Sequence, residues 1–324
     1  MEKIISLILV LTTSIIVLAQ EKQKIIFDCD FAGDIDDAFA VALILSSPEF
    51  EILGLIMDHG NTPLRDRTAC KFLHEAGRDD IPVIVGKPTP AIVGIDKEIA
   101  GYSYQFYWSE DFKKPEPVKV NAADFIIENL KKYPHEIILF TVGPVCNIKE
   151  VLQKDKEVLK LAKKVVSMFG SFYMGYNSGP VPDAEWNVRA DVEASKMLVS
   201  AGADIIYVGL DVSTFVKLDE KNLNRLLFRQ SPLTNSLCGL YSLWRYESYS
   251  QPEANLFDVV AVGSVLWPEL FSGKKTNVRV NEKGYTLVAD SIEPNGEILL
   301  TINKDEFIKR IMERYLTQNL HRSP

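Results

Sequence analysis

The sequence is poor in cysteine, with four in 324 residues, at positions 29, 70, 146 and 238. None falls in a C-x-x-C pair, which excludes a zinc knuckle or a dithiol redox site and leaves four buried or free thiols. Glycine (18) and proline (16) are too few for a collagen-like or low-complexity chain. A basic excess is also missing. Thirty-six Lys and Arg against 44 Asp and Glu give a net charge of −8, which repels a phosphate backbone and argues against nucleic-acid binding. Long apolar runs are absent except at the N-terminus, where Lys3 precedes Ile4 to Leu18 and a small-residue site at Val17-Leu18-Ala19 stands before Gln20. That run is short of the ~20 residues that span a bilayer, and polar EKQK follows it. Residues 1–20 therefore read as a signal peptide, with an exported mature chain, periplasmic or secreted, and no stable membrane insertion after cleavage.

The whole sequence is 47% apolar and 25% charged, enough to bury a sizeable core. From Lys24 onward short β-branched runs alternate with amphipathic ones: KIIFDCD, DDAFAVALILSS, EILGLIM, then PLRDRTACKFLHEAG closed by Gly77. The alternation continues with IPVIV, AADFIIENLKKY, EIILFTV, KVVSMF, VEASKMLVSAG and DIIYVGL. This order predicts an α/β fold, an open and mostly parallel sheet covered by helices on both faces. NVRV, YTLVA and EILLTI predict a small antiparallel addition near the C-terminus, before a final helix DEFIKRIMERYL. Residues 91–120 and 171–190 read as long loops, which in compact α/β domains are usually functional. No repeat or linker divides 21–324, which reads as one domain.

Five carboxylates crowd the end of the first strand and the start of the first helix: Asp28, Asp30, Asp34, Asp36 and Asp37. Helix capping accounts for one or two of them. It does not account for Asp28 and Asp30, where a buried strand is still ending. A divalent cation of the oxygen-seeking kind, calcium or magnesium, removes the repulsion. In a parallel sheet this address, beyond the carboxyl ends of the strands, is where ligands bind. The stretch Thr141 to Asn147, the loop residues Asn177, Glu185 and Asn187, and Asp258 at the start of DVVAVGSVL share it. Singly each is ordinary: Asp258 an N-cap, Asn187 a turn residue, Glu185 a surface charge.

Taken in order, these motifs resemble the inosine-uridine preferring nucleoside hydrolase family. Its D-x-D-x-G-x-D-D signature stands here as DCDFAGDIDD, two residues longer. HGN at 59–61, GRDDIPVIVGKPTP at 77–90, AADFIIENL, TVGPVCN, AEWN, GLDVS at 209–213 and LFDVVAV at 256–262 follow in sequence. The resemblance implies hydrolysis of the N-glycosidic bond of a ribonucleoside, or a related N-riboside, to ribose and free base by a Ca²⁺-bound water that an Asp base activates. It implies calcium on Asp30, Asp37, Asp258 and the Val142 backbone carbonyl, with Asp30 also the base and Asp28 supporting it. Asp36 and Asn187 match the residues on the ribose 2′- and 3′-hydroxyls, Glu185 and Asn177 those toward the 5′-hydroxyl, and Asn61 and Met168 other pocket positions. A homo-oligomer is left open.

These residue types suit the chemistry. Breaking the bond builds an oxocarbenium-like sugar, which carboxylates and a delivered water stabilise. One position departs from the family. Phe257 stands where a histidine implicated in protonating the leaving base is usual, and phenylalanine donates no proton. Tyr241, Trp244, Tyr246 and Tyr249 line a base pocket or pack the core face of an amphipathic helix, and His59 or a tyrosine at 173, 176 or 249 is the alternative acid. Two rival functions are an exported ribonucleoside- or ribose-binding protein, favoured by Phe257, and a haloacid-dehalogenase-like phosphohydrolase with Asp28 as nucleophile.

Overall fold

The computed structural model describes residues 21–88, 103–113, 118, 120–248 and 253–322. The leader expected at 1–20, most of the loop expected at 91–120, and Tyr249 lie outside the described residues. The strands are β1 (Gln23–Cys29), β2 (Phe50–Met57), β3 (Val83–Val85), β4 (Ile137–Thr141), β5 (Lys164–Met168), β6 (Ile205–Val208), β7 (Lys217–Leu218), β8 (Ala254–Asn255), β9 (Phe271–Val280), β10 (Thr286–Ala289) and β11 (Gly296–Ile302). Among the described residues, nine of them form one sheet in the order β10-β9-β11-β6-β5-β4-β1-β2-β3. From β11 through β6 to β3 every neighbour is parallel. The near-continuous apolar runs of β1, β4 and β5 are buried on both faces, as a sheet covered on both sides requires.

Helices fill both faces: α1 (Asp36–Leu45), α2 (Thr62–Glu75), α3 (Ala122–Lys132), α4 (Cys146–Lys154), α5 (Trp186–Ala190), α6 (Val192–Val199), α7 (Leu210–Ser213), α8 (Glu220–Arg229), α9 (Pro232–Glu247), α10 (Phe257–Leu266) and α11 (Lys304–Thr317). Two buried cores, one on each side, follow from this layering. Helix α1 is buried along its whole length and packs on α10, which is buried from Asp258 to Ser264. Neither has a polar face to give to solvent. Their pairing brings two acidic first turns together in the interior.

The C-terminal addition is antiparallel, β10 on β9 and β9 on β11, and joins the main sheet because β11 also runs parallel to β6. Strand β9 begins at Phe271, six residues before the NVRV run. Its first half, FSGKKT, exposes Ser272, Gly273 and Lys275 and carries no apolar alternation by which sequence could mark it.

Candidate active site

Strand order reverses between β1 and β4: the chain moves outward from β1 to β2 and β3, then returns to β4 and leaves the other way. The loops after β1 and β4 diverge there and open a crevice at the carboxyl ends of the strands. A cavity of about 510 Å³ occupies it, lined by Asp30, Asp36, Asp37 and Asp258, by Val142 and Met168, and by Glu185 and Asn187. Parallel topology thus assembles side chains more than 200 residues apart.

Asp36, Asp37 and Asp258 each offer a carboxylate oxygen, all within 4.8 Å of one another and all buried. Asp36 Oδ2 accepts from the Asp258 backbone N–H at 3.2 Å, and Asp37 Oδ1 has no hydrogen-bond partner. Burial first, and neighbouring carboxylates second, push all three well above the usual carboxylate range. A buried orphan oxygen within a knot of like charges fits a hard divalent cation, whose charge would cancel the repulsion. Asp258 is not the N-cap; Leu256 is, and Asp258 stands in the first turn of α10.

The trio contains Asp36 where the sequence-based ligand set had Asp30. Asp30 stands beside it, engaged by a cation: its Oδ2 lies 3.6 Å from Arg65 Nη2. Close approach of Asp30 to the loop after β4 requires Gly143, where a Cβ would come within 3.0 Å of the Asp30 N and Oδ1. Arg65, buried on α2, also donates from Nε to the His59 carbonyl at 2.8 Å and from Nη1 to the carbonyls of Phe31, at 3.0 Å, and of Asp30. The two residues added to the family signature are absorbed here. The Phe31 ring packs on Phe72 of α2 at 5.6 Å, and Ala32 takes a left-handed φ of 67°. Gln105 Nε2 donates to the Gly33 and Asp34 carbonyls at 3.1 Å. Sequence reasoning missed Arg65, because nothing in PLRDRTACK says which basic residue turns inward.

Asp28 is buried beneath the site, with Oδ1 accepting from Asn147 Nδ2 at 2.9 Å and Oδ2 without a partner. Burial pushes its carboxyl up to about 8, against the pull of the Asn147 hydrogen bond. Asp58 is a second buried carboxyl that sequence reasoning missed; burial, then the charges of Asp28 and Asp30, push it well above its ordinary value. It accepts from the His59 N–H at 2.8 Å and keeps Oδ2 unpartnered.

Glu185 is a buried helix cap, not a surface charge. It accepts from the N–H groups of Asn187 at 2.8 Å, Val188 at 3.2 Å and Gly170 at 3.1 Å. Asn187 is no simple turn residue either: its Nδ2 donates to the Val142 carbonyl at 2.7 Å and the Met168 carbonyl at 3.1 Å. That tie joins the loop after β5 to the carbonyl expected to face a metal. Two expected pocket residues sit elsewhere. Asn61 spends its side chain capping α2, accepting from the Leu64 N–H at 3.2 Å, and Asn177 is exposed in the loop before α5. Neither lines the cavity, whereas Tyr176 does.

Phe257 lines the cavity and meets the Tyr176 ring edge-on, centroids 6.1 Å apart at 89°. The Tyr176 hydroxyl accepts from the Trp186 N–H at 2.8 Å, and the Trp186 ring meets His59 at 6.3 Å and 81°. His59 and Tyr176 are the alternative acids that reach the cavity; Tyr173 does not line it. Tyr241 and Trp244 are core residues of α9, and Tyr246 is exposed.

A doubly wound sheet with buried carboxylates at its switch point places an oxygen-rich ligand site where α/β enzymes bind their substrates. The chain belongs to the inosine-uridine preferring nucleoside hydrolase family, whose model matches residues 25–309. It is 32% identical to uridine nucleosidase 1 of Arabidopsis thaliana, over 81% of this chain and 79% of that protein. It is 26% identical to the pyrimidine-specific ribonucleoside hydrolase RihA of Citrobacter koseri, over 90% and 97%. Among solved structures, a plant nucleoside hydrolase superposes with a TM-score of 0.78 at 26% identity, covering 92% of this chain and all of that one. The purine-preferring ribonucleoside hydrolase of Gardnerella vaginalis, at 22% identity and a TM-score of 0.78 over 91% and 98%, shares the fold. The protein is accordingly an enzyme that hydrolyses the N-glycosidic bond of ribonucleosides, and its Asp36, Asp37 and Asp258 cluster matches the calcium site of that family. Among the described residues no helix is long and apolar enough to cross a membrane.

Proposed function

We propose that Asp30 is the catalytic base, that Asp36, Asn187 and Glu185 hold the sugar, and that position 257 supplies no acid. The observation that carries this is Phe257 itself, set edge-on to Tyr176 in the wall of the cavity. Asp37 and Asp258, with the Val142 carbonyl and the same Asp36 carboxylate that faces the sugar, would hold the calcium, which lowers the pKa of a water and offsets carboxylate repulsion. Asp30, steadied by Arg65, takes a proton from the attacking water as oxygen bonds to C1′. Asn187, its amide nitrogen spent on two carbonyls, turns its oxygen to a sugar hydroxyl, and Glu185 is oriented by its three N–H donors.

General acid catalysis is worth roughly 10² to 10⁴ in rate, so a site without it discriminates by how stable the departing base is. The relatives named for uridine and pyrimidine ribonucleosides make uridine the first substrate to test. Release of ribose from uridine, inosine and p-nitrophenyl riboside, with and without chelator, is the assay. We expect chelator-sensitive turnover that is fastest for p-nitrophenyl riboside, and a gain in inosine cleavage in Phe257→His. Equal kcat/KM for the three would show that another residue protonates the base. We further propose export with a mature N-terminus near Gln20, checked by intact mass, and no role for nucleic acid, in keeping with the net charge of −8.

A further inference from the structure

The cavity carries more negative charge than sugar and metal account for. Seven carboxylates line it against two arginines, Arg65 and Arg189. A bound divalent cation and two guanidiniums offset four of those charges and leave three. Two of the seven, Asp34 and Glu247, belong to neither the metal set nor the sugar set. Asp34 is presented by the lengthened loop, whose Gly33 and Asp34 carbonyls Gln105 holds, and its own Oδ1 accepts from the Ile35 N–H at 2.6 Å. Glu247 ends α9 and accepts from the Ser103 hydroxyl and the Tyr104 N–H at 3.3 Å each. The loop and the helix end are thus built to keep two further carboxylates at the cavity.

The same cavity is walled by Tyr176, Trp186 and Phe257. Aromatic faces attract cations, most strongly where water is displaced. A neutral base must leave as an anion unless something protonates it, and an anion is repelled here. A base that starts cationic leaves neutral. As its bond breaks, the positive charge moves from the ring to the C1′–O4′ oxocarbenium, and no anion forms beside the carboxylates.

Resting on the hydrolase reading above, we propose that this site takes N-ribosides whose base is a formal cation, of the pyridinium or N-alkylpurinium class, with Asp34 and Glu247 as the residues that select the charge. In the step, water oxygen bonds to C1′ and its proton passes to Asp30. The C1′–N electron pair returns to the ring nitrogen, and the neutral base departs without an acid.

Two measurements on the calcium-loaded protein test this. In turnover, kcat/KM for nicotinamide riboside exceeds that for uridine and inosine by about 10² or more. In binding without turnover, followed by calorimetry, 1-methylnicotinamide binds about tenfold tighter than neutral nicotinamide. Asp34→Asn and Glu247→Gln each reduce both the binding preference and the ratio of nicotinamide riboside to p-nitrophenyl riboside turnover. Equal binding of the two nicotinamides, or uridine cleaved as fast as nicotinamide riboside, overturns the proposal. A preference for the cation with no cleavage of any riboside sustains charge selection and overturns the hydrolase roles instead.

Discussion

Replacing Arg65 with methionine should damage stability and activity together. Methionine keeps much of the side chain's length and removes every donor. Three backbone carbonyls, of Asp30, Phe31 and His59, and the Asp30 carboxylate then lose their shared partner. Breaking one side of a buried charged pair costs roughly 3 to 5 kcal/mol. Some of the exposed acceptors face the cavity, where water can replace the guanidinium, so the middle of that range, about 4 kcal/mol, is the expected loss. With an unfolding entropy of ~2.1 cal/mol/K per residue over about 300 residues, this lowers Tm by about 6 °C. Activity should fall further, because the freed loop no longer fixes Asp30, and a misplacement of about 1 Å costs on the order of 10² in rate. Arg65→Lys, which keeps the charge without the fork, should fall between. Scanning calorimetry in saturating calcium, with kcat for uridine or p-nitrophenyl riboside, is the measurement. A methionine variant that melts within about 1 °C of the parent and keeps half its kcat would show that the lengthened loop stands without Arg65.

Much of this architecture is legible from period and order alone. The β1, β4 and β5 runs are continuous because both faces are buried, and a strand that must be apolar throughout announces itself. The acidic stretch from Asp28 to Asp37 is legible for the opposite reason: so many carboxylates at a strand end make no sense without a cation. What stays hidden depends on direction. Arg65, Arg67 and Lys71 are alike in sequence, yet burial distinguishes Arg65 only once α2 is laid beside the loop after β1. Asn61 and Asn177 match the family only by motif position, which carries no information on whether an amide is spent on a helix cap or turned to solvent. Glu185 and Asn187 show the reverse. Each is unremarkable in sequence, and each becomes informative because its partners are backbone groups in β5 and in the loops after β4 and β5.

Three further predictions follow from buried polar groups. Asp58→Asn keeps an acceptor for the His59 N–H and removes a carboxyl with an unpartnered oxygen beside Asp28, so the calcium-free protein should gain about 1 kcal/mol in a urea titration, and a loss would contradict the assignment. If Asp36 and Asn187 clamp the sugar, 2′-deoxyuridine should be cleaved about 10⁴-fold less efficiently than uridine, and comparable kcat/KM values would remove that clamp. The last concerns calcium and pH together. Burial holds Asp28 at about 8 and Asp34 at about 6, and holds Asp36, Asp37 and Asp258 well above the ordinary carboxylate value. The unfolded chain releases these protons near pH 4, whereas the calcium-free native state still binds them, and stability falls with pH wherever the native state binds more protons. Chelated protein should therefore lose Tm steadily from about pH 4 to about pH 8. Calcium displaces the protons of Asp36, Asp37 and Asp258, so its binding should release protons and its stabilising increment should grow across that window. Calorimetry at several pH values, in excess calcium and in excess chelator, separates the two curves. Chelated protein that instead gains stability between pH 5 and pH 8 would mean that these carboxylates are already ionised in the empty fold, and that the cluster needs no cation to hold it together.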